Sequence, residues 1–203
     1  MLENYRPISL INVDIKIICK ALANRLLTII PTIIHKSQTA TYNRRIDQTV
    51  HLIRDLIDLA NKEDHTAAFI FLDQEKAFDR VNHNFLFKIM SSFGIPDHFI
   101  NWIKVLYSNA SALVNVNGFL TEPILLRRGV RQGCPLSSML YVMVIEVLAL
   151  QLRANPNIVG FQIGQEKIVS AHYMDDSTII ITQNRCFKEV IKELSDYEKA
   201  SEA

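Results

Sequence analysis

An adjacent pair of aspartates between two apolar runs constrains the fold of this chain more than any other feature. The flanking runs, KIVSAHY (167–173) and STIIIT (177–182), are short and rich in β-branched residues, as expected of strands. Asp175 and Asp176, which lie between them, are residues that favour turns. The pattern therefore predicts two antiparallel strands joined by a tight turn that carries both aspartates.

A third apolar run, AAFIFLD (67–73), predicts a buried strand that ends on Asp73. If the three strands share one sheet, Asp73 and Asp175 meet at one sheet edge, where their carboxylates repel each other. A divalent cation relieves that repulsion, and Mg²⁺ typically uses one or two carboxylates together with substrate phosphates. Two such ions support an in-line phosphoryl displacement. The alternative is that Asp175-Asp176 is only a favourable turn pair and Asp73 only a strand end.

Helical periodicity in the first sixty-odd residues predicts two helices. In the first, apolar residues recur every three or four positions until Pro31, which is expected to end the helix. The predicted inward face of the first helix comprises Ile11, Ile15, Ile18, Leu22, Leu26 and Ile29. The predicted inward face of the second helix comprises Ile46, Val50, Ile53, Ile57 and Ala60.

The remaining segments complete an α+β layout, in which helices back an antiparallel sheet. The Asn-Gly pair in ALVNVNGFL (112–120) is a strong signal for a two-residue hairpin turn. The basic segment RRGVRQGCP (127–135) is typical of a loop. The apolar run Met139–Leu150 predicts a buried core helix, because it is too short to span a bilayer and contains Glu146.

Composition excludes several classes of protein. Only 6 of the 203 residues are glycine and 6 are proline, which excludes collagen-like and low-complexity chains. The 3 cysteines are too few and too far apart for a disulfide scaffold or a paired-cysteine zinc site, and they suit a reducing compartment. The net charge is +1, yet residues 1–54 carry 8 basic and 3 acidic residues. That asymmetry suits a surface facing polyanions, and equally a solvated helix face.

Five residues are candidates for substrate binding. Phe78 could lie under a nucleotide sugar and exclude a 2′-hydroxyl, or it could be a core residue of the helix that follows the strand. Gln132 and Gly133 could lie against a base and a triphosphate, since glycine permits close backbone approach. Arg6 and Arg131 are candidate phosphate contacts, with ordinary surface arginines as the alternative.

Five blocks of the sequence, in this order, resemble those of a known family. They are ENYRPISLINVDIKIICKALANRL (3–26), HKSQTATYNRRIDQTVHLIRDLI (35–57), FIFLDQEKAFDRVNH (69–83), GVRQGCPLSSMLYVMVIEVL (129–148) and AHYMDDSTIII (171–181). Together they resemble the reverse transcriptase domain of a non-LTR (LINE-type) retrotransposon. One departure is Met174, which stands where alanine is common in that clade.

The resemblance implies the fingers and palm of a right-hand polymerase, with an antiparallel palm sheet backed by helices and the thumb missing. Residues 1–66 would form a fingers-like segment, and residues 67–203 the palm, with a fingers-like hairpin near 110–130. The implied catalytic and metal-binding carboxylates are Asp73, Asp175 and Asp176. By position, Phe78 takes the place of the sugar-selecting aromatic, Gln132 that of a glutamine near template and nucleotide, and Arg6 that of an arginine meeting the triphosphate.

The implied chemistry is RNA-directed DNA synthesis with two Mg²⁺ ions, or Mn²⁺ in their place. The implied partners are an RNA template, a DNA primer and dNTPs, with no membrane and with the oligomeric state left open. The implied location is intracellular, in the nucleus or cytoplasm. One alternative is a catalytically silent nucleic-acid-binding remnant of a retrotransposon. Another is an RNA-templated RNA polymerase or a relative of the intron maturases.

Overall fold

The structure is a computed structural model that describes residues 8–41 and 43–202. In those residues it contains seven helices and nine strands. The helices are α1 (Val13–Ile33), α2 (Ile46–Lys62), α3 (Ala77–Arg80), α4 (His83–Ser92), α5 (Asp97–Tyr107), α6 (Ser137–Ala154) and α7 (Cys186–Ser201). The strands are β1 (Ala68–Leu72), β2 (Ser111–Ala112), β3 (Asn115–Val116), β4 (Phe119–Leu120), β5 (Ile124–Leu125), β6 (Phe161–Ile163), β7 (Glu166–Ile168), β8 (Ser170–Tyr173) and β9 (Asp176–Ile181).

The main sheet has three antiparallel strands in the order β1-β9-β8. Leu72 at the end of β1 lies opposite Ser177 of β9, and Tyr173 at the end of β8 lies opposite Asp176. The predicted hairpin is therefore confirmed, but its turn consists of Met174 and Asp175, and Asp176, which was predicted to lie in the turn, is the first residue of β9. The end of β1 lies at the same edge of the sheet as that turn.

The two faces of the sheet pack into different hydrophobic clusters. Ile179 and Ile181 of β9 belong to the main core, whereas Ile180 between them packs with Phe161 and with α2. This alternation follows from strand geometry, in which successive side chains point to opposite faces. The sheet is thus covered on both sides, which explains why β9 ends in three consecutive isoleucines.

The centre of the main core is α6, which packs against α1, α4 and α7. The sequence-based statement that this apolar run is too short for a bilayer was wrong. By length and composition alone, the 18 residues of α6 are enough to cross a membrane. Most of the helix is buried inside the protein, however, as predicted for a core helix. Its Glu146 is buried and forms an ion pair with Arg153, which lies near the C-terminal end of the same helix.

The first helix continues past Pro31, contrary to the prediction that proline ends it. α1 runs to Ile33, and the amide of Ile34 still donates to the carbonyl of Ile30 at 2.9 Å. Pro31 lies in the last turn, where the lost hydrogen bond affects little of the helix. The predicted inward face was also wrong in part, because Ile18 and Ile29 are exposed. The buried residues are Cys19, Leu22, Ala23, Leu26 and Ile30.

The predicted inward face of α2 was also wrong in part. Ile46, Val50 and Ile57 are exposed, whereas Ala60 is buried as predicted, together with Thr49 and Leu56 outside the predicted face. The helix carries two apolar stripes, and packing against β1 and β9 selects the one that includes Leu52, Leu56 and Leu59. Helical periodicity locates such stripes but does not tell which one a neighbouring sheet covers.

The Asn-Gly hairpin forms as predicted, with shorter strands than the sequence pattern indicated. β3 pairs with β4 across Asn117 and Gly118, both of which have positive φ angles, of 51° and 91°. Positive φ at both central positions is the requirement of the tight hairpin turn that favours Asn-Gly. β2 pairs with β5 below it, and the basic loop 127–135 that follows contains no helix or strand.

The segment before α2 lies along the outer side of β8. The amide of His172 donates to the carbonyl of Ser37 at 2.8 Å, and the amide of Thr39 donates to the carbonyl of His172 at 2.9 Å. The His172 ring is buried, with its two nitrogens 2.8 Å and 2.9 Å from the hydroxyls of Ser177 and Ser170. Burial, together with the charge of Arg153, lowers the pKa of His172 to about 3.

This buried histidine predicts acid lability. In the unfolded chain the pKa of His172 returns to about 6.5, so the unfolded state binds the proton first as pH falls. The contribution of His172 to stability is therefore constant above pH 6.5 and decreases between about pH 6.5 and pH 3. The expected slope is up to about 1.4 kcal/mol of unfolding free energy per pH unit. Urea unfolding of the parent and of His172→Gln across this range measures it, and equal slopes for the two proteins would contradict the prediction.

Candidate active site

The end of β1 and the β8–β9 turn bring two of the predicted carboxylates to one pocket. Asp73 directly follows β1, and Asp175 is the second residue of the turn. Both side chains line a pocket of about 260 Å³. The sheet side of its wall comprises Leu72, Asp73, Gln74, Asp175 and Ser177, and α6 and α7 form the opposite side.

The third predicted carboxylate stands apart from that wall. Asp176 is exposed at the start of β9 and does not line the pocket. Within residues 8–41 and 43–202, no group of three or more His, Cys, Asp and Glu side chains could hold a metal ion. Of the three predicted carboxylates, the pocket therefore holds two, Asp73 and Asp175. Two is a number that Mg²⁺ accepts when substrate phosphates complete its coordination.

The pocket has an acidic wall. It includes the carboxylates of Asp73, Glu75, Asp175 and Glu198 but the single guanidinium of Arg80. Arg80 forms an ion pair with Glu75, so its positive charge does not offset the negative charges of Asp73 and Asp175. The wall consequently attracts cations rather than anions. A nucleotide triphosphate would need an accompanying cation to approach it.

Tyr141 of α6 connects the core to this acidic edge. Its ring is fully buried, and its hydroxyl donates a hydrogen bond to the side-chain carbonyl of Gln74. Burial raises the pKa of Tyr141, and electrostatic interactions with Tyr197 and with the carboxylates of Asp175 and Asp176 raise it further. The phenol is therefore a permanent donor, which fixes the residue that follows Asp73.

Phe78 packs against the same tyrosine. The two rings are stacked, with centroids 4.8 Å apart and planes 12° from parallel. Phe78 lies in the short helix α3, is half-buried, and does not line the acidic pocket. Both interpretations of this residue, as a core aromatic and as a ring beneath a nucleotide sugar, remain compatible with a half-buried position.

The basic loop 127–135 is held against the α3 segment. The amide of Val130 donates to the carbonyl of Phe78, and the amide of Gly129 donates to the carbonyl of Val81, both at 2.8 Å. A side chain at Gly129 would approach the carbonyl of Asp79 to 2.9 Å, so the loop packs this closely only with glycine there. These contacts place the loop next to the segment that leads away from Asp73.

The structure places Gln132 in a second pocket rather than beside the carboxylates. That pocket, of about 370 Å³, lies between the basic loop and the β2–β5 ladder. The carbonyl of Gln132 accepts a hydrogen bond from the amide of Ser9 at 3.2 Å. Gly133 has a φ of +92° and is exposed, with the carbonyl of Ser9 3.4 Å from where a side chain would begin.

Of the two predicted phosphate-binding arginines, the structure describes only Arg131. Arg131 lines the second pocket, but its guanidinium donates to the carbonyl of Leu106 at 2.8 Å and lies over the ring of Tyr107. Through these contacts Arg131 ties the basic loop to the end of α5, in addition to any contact with substrate. Arg6 lies outside the described residues.

Sequence reasoning missed three residues that organise this edge. Gln74 and Tyr141 are linked by a hydrogen bond, and Gln38 bonds the backbone of the β8–β9 turn from the second predicted block. Gln74 adjoins Asp73 in the sequence, which was an available signal. The other two are distant in sequence from the aspartates that they support.

Comparison with known proteins agrees with the geometry. A family model described as reverse transcriptase (RNA-dependent DNA polymerase) matches residues 2–202. The transposon TX1 149 kDa protein of Xenopus laevis is 38% identical over 203 residues, which is 100% of this chain and 15% of the relative. The Pol polyprotein of the type-1 retrotransposable element R2 from Popillia japonica is 32% identical over 182 residues, 88% of this chain and 25% of the relative. The chain thus spans a quarter or less of the length of these relatives.

Solved structures agree on the fold. A telomerase from Candida tropicalis, determined with a fragment of telomeric RNA, superposes with a TM-score of 0.60 at 15% sequence identity. The match covers 90% of this chain and 31% of the telomerase chain. The mixed arrangement of helices and strands is therefore one that this telomerase also adopts.

Proposed function

Because the chain belongs to the reverse transcriptase family of LINE-type retrotransposons, we propose that it adds dNTPs to a primer under the direction of an RNA template. The observation that carries the proposal is the meeting of Asp73 and Asp175 on one pocket wall. In nucleotidyl transfer the reacting phosphates are bound together with divalent cations, and a pair of carboxylates at a sheet edge can bind those cations.

In the proposed reaction the oxygen of the primer 3′-hydroxyl forms a bond to the α-phosphorus of the dNTP. The bond from that phosphorus to the β-phosphate oxygen breaks, pyrophosphate leaves, and the hydroxyl proton passes to solvent. Asp73 and Asp175 would hold Mg²⁺, with Asp176 as the third carboxylate and Mn²⁺ as a substitute metal. When bound, two such ions stabilise the attacking and the leaving oxygen.

The residues that line the pocket fit a divalent metal ion. Asp73 is exposed and Asp175 is half-buried, so their oxygens remain open to the pocket. Arg80, the basic residue on that wall, is paired with Glu75 and does not neutralise them. Tyr141, whose raised pKa keeps it protonated, holds the side chain of Gln74, the residue that follows Asp73.

We assign substrate selection to the α3 segment and the basic loop. Phe78 would exclude the 2′-hydroxyl of a ribonucleotide, and Gln132 and Gly133 would lie against the template base and the incoming nucleotide. Arg131 and Arg6 would contact phosphates. Support comes from the hydrogen bonds at 2.8 Å that hold loop residues 129 and 130 against residues 78 and 81.

In this proposal residues 1–66 act as fingers and residues 67–203 as palm, with the ladders near 110–130 as a fingers-like hairpin. An RNA template and a DNA primer are the nucleic-acid partners. The proposed location is inside the cell, in the nucleus or cytoplasm. Its support is that Cys19, Cys134 and Cys186 are free and buried, as suits a reducing compartment.

The test is a primer-extension assay with a DNA primer annealed to a homopolymeric RNA template. The purified chain is expected to incorporate the complementary dNTP when Mg²⁺ is present and to stop when it is chelated. Incorporation that is indifferent to chelation would contradict the role of the carboxylates. A folded chain that binds the primer–template but incorporates nothing at any Mg²⁺ concentration would contradict the proposed activity.

A further inference from the structure

We propose that Gln38 is a positioning residue that holds Asp175 in the pocket by bonding the backbone of Met174, a role that rests on the proposed function of Asp175. Gln38 lies in the segment before α2, 136 residues from Met174 in the sequence. Its side chain nevertheless reaches the β8–β9 turn and contacts both backbone groups of Met174.

The turn needs support because Met174 has an unfavourable backbone conformation. Its φ angle is +53°, in the left-handed region that residues with a Cβ atom seldom adopt. Strained residues of this kind persist only where surrounding contacts hold them, and they are concentrated at functional sites. Met174 directly precedes Asp175, so its conformation sets the direction in which the Asp175 side chain leaves the backbone.

Gln38 supplies contacts that match this need. Its side-chain carbonyl accepts from the amide of Met174 at 3.2 Å, and its side-chain amide donates to the carbonyl of Met174 at 3.5 Å. The same carbonyl oxygen also accepts from the amide of Ala40 at 3.0 Å. A neutral amide can donate from its nitrogen and accept at its oxygen at the same time, whereas an ionised carboxylate only accepts.

Gln38 is itself firmly placed. It is 1% exposed, and its backbone pairs with that of His172 in β8 as a parallel bridge. The backbone bonds of Ser37 and Thr39 to His172 lock the segment on either side of it. The turn is therefore held from outside the hairpin, by a residue that cannot move without disturbing β8.

The test uses Gln38→Met, which keeps the length of the side chain but removes both hydrogen bonds to Met174, together with the bond from the Ala40 amide. Hydrogen exchange at the Met174 amide is expected to become several-fold faster, because its acceptor is lost. Binding of Mn²⁺, followed by its electron paramagnetic resonance signal, is expected to weaken about 10- to 100-fold, as when the support of a metal ligand is removed. In primer extension kcat should fall with little change in the KM for dNTP.

The matched control is Asn155→Leu, which also removes an amide side chain with two hydrogen bonds, to Glu193 and to the amide of Asn157. It lies away from the pocket and should lower the melting temperature without changing Mn²⁺ affinity. Met174→Gly added to Gln38→Met should recover most of the Mn²⁺ affinity, because glycine adopts positive φ without strain. A general loss of stability would not be rescued in this way.

The outcomes separate this role from the proposed function. If Asp175→Asn weakens Mn²⁺ binding and Gln38→Met leaves it unchanged, the positioning role is overturned and the metal site stands. If neither substitution affects Mn²⁺ binding, the metal site itself is overturned. Unchanged exchange at the Met174 amide in Gln38→Met would show that the turn needs no support from Gln38, whatever the metal data.

Discussion

The Asp175→Asn variant is expected to lose nucleotide incorporation by roughly a thousandfold or more while it keeps its fold. Loss of even an outer-shell partner of a metal ligand typically costs about 10- to 100-fold, and a direct ligand should cost more. Asparagine has nearly the same shape as aspartate but carries no charge, so packing around the turn is unchanged. Single-nucleotide incorporation at saturating Mg²⁺ is the measurement.

The same substitution should leave the metal-free protein as stable as the parent or more so. Asp73 and Asp175 share an acidic wall, and removing one of two repelling carboxylates relieves their repulsion. Asp58→Asn, an exposed aspartate of α2, is the matched control and should retain full incorporation. An Asp175→Asn protein with near-parental incorporation would mean that the chemistry takes place elsewhere.

The carboxylate edge could be predicted from sequence because its determinants are local. Each strand contains a short apolar run, Asp73 comes immediately after β1, and Asp175 lies between β8 and β9. Once the runs pair antiparallel, the position of Asp73 beside the turn is fixed by register alone. No long-range contact had to be guessed beyond the assumption that the three strands share one sheet.

The supporting residues could not be predicted, for two different reasons. Gln38 reaches Met174 across 136 residues, and nothing near it in the sequence indicates which turn it bonds. Tyr141 lies in a helix that is buried nearly all round, so its apolar pattern gives no sign of which side meets the pocket. The partly wrong faces assigned to α1 and α2 have the same origin, since tertiary packing selects among apolar stripes that periodicity leaves equivalent.

Phe78→Val is expected to raise the use of rNTPs relative to dNTPs by up to about a hundredfold. A steric pocket discriminates a nucleotide from its hydroxyl-bearing analogue by about that factor, and shortening the aromatic ring removes the barrier. The carboxylates are untouched, so dNTP incorporation should fall much less than discrimination. The measurement is the ratio of kcat/KM for the two nucleotides on the same primer–template.

Stability must be separated from selection, because the Phe78 ring stacks on Tyr141 at 4.8 Å and supports the core. Truncation should therefore cost about 2–4 kcal/mol of unfolding free energy whichever interpretation holds. Phe85→Val is the matched control, since Phe85 is also half-buried and packs edge-on against Tyr197. It should lose comparable stability while its nucleotide ratio stays at the parental value. If Phe78→Val likewise lowers the melting temperature and leaves the ratio unchanged, Phe78 is a core residue and the sugar is selected by another group.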